Sequence, residues 1–344
     1  MALLTALLVP QHPVAAAKPG GITDLGTLGG DYSDAFGMNN DPAVVQVVGQ
    51  SRTAAGTVHG FFWTPPGPMV DLGTLGGPFS RASDIHNSGQ IAGVSDDVSR
   101  QRRAVVWTMN GGSWEIENLG SMTGACCSAA YGLNHGTPSD PAAVAVVGSS
   151  ITSSGESHAV VWTKAATGWA VQDLGTLPGD VGSAAHDVNV RGAIAGLSSN
   201  MTGAARGFLW TAATGMVALP TLGGETYALA INDNGDVAGL STGASGDRHA
   251  VRWRSAANWA IEDLGTLGGC CSEGYGINSP GDVVGVSNVS RRRSGLQHAF
   301  LATSSMRDLG ALQGSSVARD VNDFGSAVGA SGGASLHAVL WKLN

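Results

Sequence analysis

The feature that most limits what this chain can fold into is a seven-residue phrase, Asp-Leu-Gly-Thr-Leu-Gly-Gly, that returns along its whole length. Intact copies occupy Asp24–Gly30, Asp71–Gly77 and Asp263–Gly269, and altered ones begin at Asn118, Asp173, Ala218 and Asp308. Successive starts lie 47, 47, 55, 45, 45 and 45 residues apart. A period of this size marks one supersecondary unit repeated along the chain. The repeat also sets the domain count: a signal peptide or disordered leader is expected over 1–19, then one array over 20–344.

Each unit carries the same order of signals. A small-residue segment ends in Asn, as in Ala228-Leu229-Ala230-Ile231-Asn232, and glycine follows three positions on. Asn and Gly tolerate the positive φ of a tight hairpin turn. A second strand follows, such as Asp236–Ser241, and then a third with a His-Ala-Val/Phe-Leu-Trp pattern. Copies of the third include His59–Trp63, Arg103–Trp107, His158–Trp162, Arg206–Trp210, His249–Trp253 and His337–Trp341, while His298–Ala302 lacks the tryptophan. A fourth strand leads into the next glycine phrase. In unit three, the segment from Gly136 to Ala143 reads as an inserted polar loop.

Four short strands per unit with one large aromatic predict an all-β, seven-bladed β-propeller of four-stranded blades. The ends of the array support a ring. Ile22-Thr23-Asp24-Leu25 is a fourth-strand sequence without a blade of its own, and the last unit stops after its third strand at Trp341. The N-terminal strand is expected to complete the last blade, leaving no open sheet edges.

Composition agrees with a turn-rich β protein: 52 glycines in 344 residues, 43% hydrophobic and only 13% charged. A formal net charge of −8 argues against a general nucleic-acid binder, which needs a broad basic surface. No apolar run reaches the ~18 residues of a membrane-spanning helix. Ala2–Val9 resembles a signal-peptide core and Ala15-Ala16-Ala17 its cleavage site, although no basic residue precedes Lys18. An extracellular or periplasmic location is the expectation.

The glycine phrase, the Ile-Asn-x-x-Gly turn and the His-Ala-Phe-Leu-Trp strand together resemble the HAF repeat, a family of bacterial extracellular proteins named for its His-Ala-Phe tripeptide. The resemblance covers 20–344 and implies secretion and a repeat-built β fold. It implies no reaction. Arg103 and Arg206 depart from the tripeptide, so the histidine is not required in every unit.

No residues qualify as catalytic. The recurring histidines are distributed one per unit instead of converging as metal ligands do, and a strand-anchoring hydrogen bond to backbone is their expected role. The Asp of the glycine phrase is expected to accept backbone N–H bonds in its turn. Asn232–Asp236 lacks the downstream Glu of a calcium loop and reads as a plain turn. No cofactor motif and no metal-binding spacing is present.

The asymmetries are more informative. Cys126-Cys127 and Cys270-Cys271 sit at one equivalent position in units three and six, each followed four residues later by Tyr131 or Tyr275. Adjacent cysteines lie below the usual Cα spacing of a disulfide, and the two pairs are too far apart in a ring to join each other. In an oxidising compartment each pair is expected to close on itself as a vicinal disulfide; reduced thiols are the alternative. Arg291-Arg292-Arg293 lies in the loop before a third strand, where guanidinium forks suit an anion or simply keep the loop solvated. These nine residues are the candidate ligand-binding set. The leading reading is a secreted, non-catalytic monomer that binds a glycan or protein through one face. An enzyme acting in the propeller funnel and a structural envelope component are the alternatives.

Overall fold

A computed structural model describes residues 21–124, 126–135, 144–290 and 295–343. The expected leader, the insertion of unit three and the Arg291–Arg293 cluster lie outside these residues. The fold is all-β and propeller-like. Five sheets are four-stranded antiparallel meanders, and a sixth, larger sheet joins two meanders through a single parallel pairing, Val58↔Phe79. Among the described residues the one helical element is a 3-10 turn, Ser255–Ala257. No helix is long and apolar enough to cross a membrane.

The seven first strands are Gly29–Met38, Gly76–Ile85, Ser128–Leu133, Gly182–Val188, Gly223–Ile231, Ser272–Ile277 and Ser315–Val321. They begin the meanders and lie side by side. The short strand Ile22–Asp24 pairs antiparallel with Leu336–Lys342, with Ile22 opposite Trp341, as the sequence predicts. The first and last meanders also pack directly together. Met38 N–H donates to Asp320 Oδ2 at 2.8 Å, and Asn40 bonds Asp323 through both its amide nitrogen and its amide oxygen.

Side chains that the sequence repeats as small or polar turn out to be clips between units. The glycine phrase turns through left-handed backbone at Gly26, Gly73, Gly120, Gly175, Gly265 and Gly310, a conformation that glycine adopts without steric cost. A serine in six of the first strands then ties this turn to the preceding meander. Ser272 Oγ donates to Gly265 O at 2.5 Å and accepts the Ala250 N–H at 2.8 Å. Thr226 replaces serine in one unit and still accepts Gly207 N–H at 2.7 Å.

The histidines bond differently from the expectation. His59, His158, His249, His298 and His337 each place Nδ1 against the Asp carboxylate of the following glycine phrase, at 2.7–3.0 Å to the nearer oxygen. A carboxylate offers an imidazole N–H a stronger acceptor than a backbone carbonyl. The same carboxylates also accept the expected backbone bond, for example from Gly265 N–H to Asp263 Oδ1 at 2.8 Å.

The core lies between neighbouring meanders. Trp107, Trp162, Trp253 and Trp341 are fully or almost fully buried there. Trp210 is only half-buried, because Phe208 fills the equivalent space in its unit.

Candidate functional site

The first strands converge on a central opening, and a local irregularity repeated in each decides what lines it. Their register slips by one residue between Ala35 and Gly37, Ala82 and Asp84, Ala130 and Gly132, Ala185 and Asp187, Ala228 and Ala230, Gly274 and Gly276, and Ala318 and Asp320. A bulge leaves one residue unpaired and re-aims its side chain. The residues so released are Phe36, Ser83, Tyr131, His186, Leu229, Tyr275 and Arg319, and all seven line the central pocket.

Taken around the opening, these residues and Arg81 alternate aromatic rings with guanidinium groups. Arg319 Cζ lies 5.1 Å from the Tyr275 ring centre and 5.5 Å from that of Phe36. Arg81 Cζ lies 5.5 Å from the Phe36 ring and 6.0 Å from the Tyr131 ring. Tyr131 stacks on His186 at 5.7 Å with 19° between the planes. Asp34, buried beside them, accepts Arg319 Nη2 at 3.1 Å. Burial pushes the Asp34 carboxyl up, against the pull of Arg319. Burial, with the Arg81 charge, holds His186 down to about 4, so its ring is neutral. Burial and the neighbouring Glu273 raise the Tyr275 hydroxyl, which donates to that carboxylate at 2.5 Å.

One residue further along, three strands carry Asp84, Asp187 and Asp320 where the others have glycine or alanine. Each carboxylate joins two meanders. Asp187 takes the Val188 N–H at 2.7 Å and the Ile231 N–H of the next meander at 2.8 Å. Asp84 does the same with Ile85 and Leu133, and Asp320 with Val321 and Met38. Gly37, Gly132 and Gly276 make room: a Cβ on any of them would come within 3.0 Å of the Cα of Asp84, Asp187 or Asp320 respectively. Burial, reinforced by Asp84, lifts Asp187 and Asp320 to about 7. His135 places Nε2 3.5 Å from Asp84 Oδ1. Burial opposes its charge, yet Asp84, with Asp320 and Asp187, raises it to about 10. Among the described residues no cluster has the arrangement of a metal site.

The expected site residues fall into three groups. Tyr131 and Tyr275 reach the central pocket. The cysteines do not line it. Cys126 and Cys127 form the vicinal disulfide, with Cα atoms 3.7 Å apart and Cys127 at a φ of 73°. Cys270 and Cys271 are free thiols, which corrects the expectation that both pairs close. Cys271 does not share the left-handed backbone of Cys127. Arg291, Arg292 and Arg293 are outside the described residues. Arg102 and Arg103, at the start of the third strand of the second unit, form ordinary ion pairs, with Asp96 at 3.4 Å and Asp97 at 2.9 Å. Sequence reasoning missed Phe36, Arg81, His186, Arg319 and the three carboxylates. The signal for Phe36, His186 and Arg319 was available: in an otherwise small-residue segment, the position three after the serine differs in nearly every copy.

No family model and no curated protein sequence matches the chain. Solved structures do resemble it. TolB from Acinetobacter baumannii superposes with a TM-score of 0.52 at 12% identity, covering 78% of this chain and 64% of TolB. A puromycin-hydrolyzing peptidase of Mycobacterium tuberculosis gives a TM-score of 0.56 at 11% identity, covering 94% of this chain and 53% of the peptidase. Both are β-propeller proteins, and this chain spans less than two thirds of either. At such identity the likeness concerns fold alone. The fold is propeller-like.

Proposed function

We propose that this chain is an exported, seven-bladed propeller of the HAF-repeat type that binds an extracellular ligand, a glycan or protein segment, in its central opening. Pairing of Ile22–Asp24 with the last meander supports seven blades closed into a ring. The vicinal disulfide favours an oxidising compartment. The binding reading rests on one observation above the others: the bulges turn Phe36, Tyr131, His186 and Tyr275 into the lining of the opening, where their rings stay partly exposed. Aromatic faces with polar edges stack well on sugar rings and on side chains. The three aspartates are tied by two backbone N–H groups each, which suits a structural clamp better than an acid or base poised over a substrate.

The test is binding to an immobilised panel of saccharides and peptides. A Tyr131→Ala/Tyr275→Ala variant should remain folded and lose at least about tenfold in affinity for whatever the native protein retains. A Cys270→Ser/Cys271→Ser variant should bind as the native protein does. Undiminished binding by the tyrosine variant would move the site elsewhere. Chemical conversion of a retained saccharide would replace the binding reading with an enzymatic one.

A further inference from the structure

Arg81 is the anomaly of the central opening. Arg52, Arg102, Arg103, Arg206, Arg252, Arg254 and Arg319 each have a carboxylate within 4 Å. Arg81 lies beside the Phe36 and Tyr131 rings that line the opening, with no carboxylate that near among the described residues, and its Nε is buried without a hydrogen-bond partner. Its described contacts are the Phe36 and Tyr131 rings, and those attract the cation without using its N–H donors. Burial works against its charge, and the positive Arg102 and Arg319 add to the strain on it. Asp34 is the shared counter-charge for two guanidiniums, and its hydrogen-bonded oxygen is already committed to Arg319. One positive charge is therefore left over in a half-dry site. A buried cation in that position is costly unless something neutralises it.

We infer that Arg81, assisted by Arg319, seats the carboxylate of a ring-bearing acid at this girdle, with the ring lying against Tyr131, Tyr275 or Phe36. This inference rests on the binding reading above and specifies the ligand's chemistry. A guanidinium fork matches the two oxygens of a carboxylate, and the alternating rings supply stacking faces beside it. The seat lies on the side of the girdle away from Asp84, Asp187 and Asp320, because an anion would be repelled there. Acidic sugars and aromatic acids share this chemistry.

Calorimetric titration separates the two sources and tests the charge. The probes are glucuronate against methyl glucoside, and benzoate against benzamide. For at least one pair the acid should bind native protein about tenfold or more tighter than its neutral partner, and added salt should weaken it. Arg81→Gln should abolish that preference. Arg81→Lys, which keeps the charge but not the fork, should retain part of it. Without ligand, Arg81→Gln should be at least as resistant to urea as the native protein, since it removes an unpaired buried charge; a merely structural arginine would leave a weaker protein. Equal binding of acid and neutral partner, or acid binding that survives Arg81→Gln, overturns the inference. So does failure of both acids to bind. If in that case the tyrosine variant still loses a panel ligand, the binding reading stands without the carboxylate; if it does not, both fall.

Discussion

At the scale of single residues, the repeat hides a choice between two aromatics. The glycine in the second strand of each unit needs a flat cover, because a Cβ there would strike the backbone carbonyl of the first strand. Trp107 covers Gly93 and Trp253 covers Gly239, whereas Phe61, Phe208 and Phe300 cover Gly49, Gly196 and Gly285. Where phenylalanine takes the slot, the later tryptophan is half-buried at Trp210 and replaced at Ala302, whereas Trp63 stays buried beside Phe61. Trp107→Ala should therefore cost about 3–5 kcal/mol by leaving a core cavity. Trp210→Ala should cost clearly less, and Phe208→Ala should behave like Trp107→Ala. Urea unfolding of the three variants checks the order; equal losses at Trp107 and Trp210 would show that the two sites are not alternatives.

At the scale of strands, the carboxylate clamps make inner-strand packing sensitive to pH. Asp187 and Asp320 titrate near 7 in the folded protein against an ordinary 3.8. The folded state thus keeps protons that the unfolded chain has released, and stability falls as pH rises through that interval. His135, raised to about 10 from 6.5, contributes stability that is whole below 6.5 and lost as pH climbs through 10. His186, lowered to about 4, acts oppositely but only between about 4 and 6.5. Burial, with the His135 charge, also lowers His86 against the pull of Asp84, so His86 acts in the same sense as His186. The urea midpoint should fall from about pH 6 to about pH 9, and His135→Asn should flatten its upper part. A rising midpoint would contradict this. These clamps show where sequence reading stops. Turns and strands were legible because glycine, Asn and β-branched residues impose local geometry at a fixed period. The His–Asp pairing went unread, with a backbone bond expected in its place, although its trace is there: where Arg103 and Arg206 replace histidine, Asn118 and Ala218 replace the following aspartate. The central site was legible only at Tyr131 and Tyr275, because a one-residue bulge turns His186 and Arg319 toward the axis, and strict alternation hides that rotation.

At the scale of the whole molecule, contacts between the first and last meanders decide whether the array is a ring or an open stack. Ile22 packs in the apolar cluster of the last meander with Trp341 and Val339, and Leu25 joins the next cluster with Phe61 and Leu340. Asp24 accepts His337 Nδ1 at 3.0 Å, so the last histidine finds its carboxylate at the other end of the chain. Deleting residues 1–30 should remove this strand, leave His337 without its partner and expose the edge of Leu336–Lys342 to pairing with other chains. Light scattering should then show association, and the melting temperature should drop. Loss of apolar area alone could weaken any protein, so the decisive variant keeps the residues and moves them. In a permuted chain starting at Gly30, residues 21–29 would follow Leu343 through a short turn of the kind that joins Ala205–Thr211 to Gly215–Ala218. Lys342 N–H already meets Gly21 O at 2.9 Å, so the new connection needs only a hairpin. The permuted protein should be monomeric and melt close to the native one. A truncated chain as monomeric and heat-stable as the full one, or a permuted chain as weak as the truncated one, would mean that this strand does not close a ring.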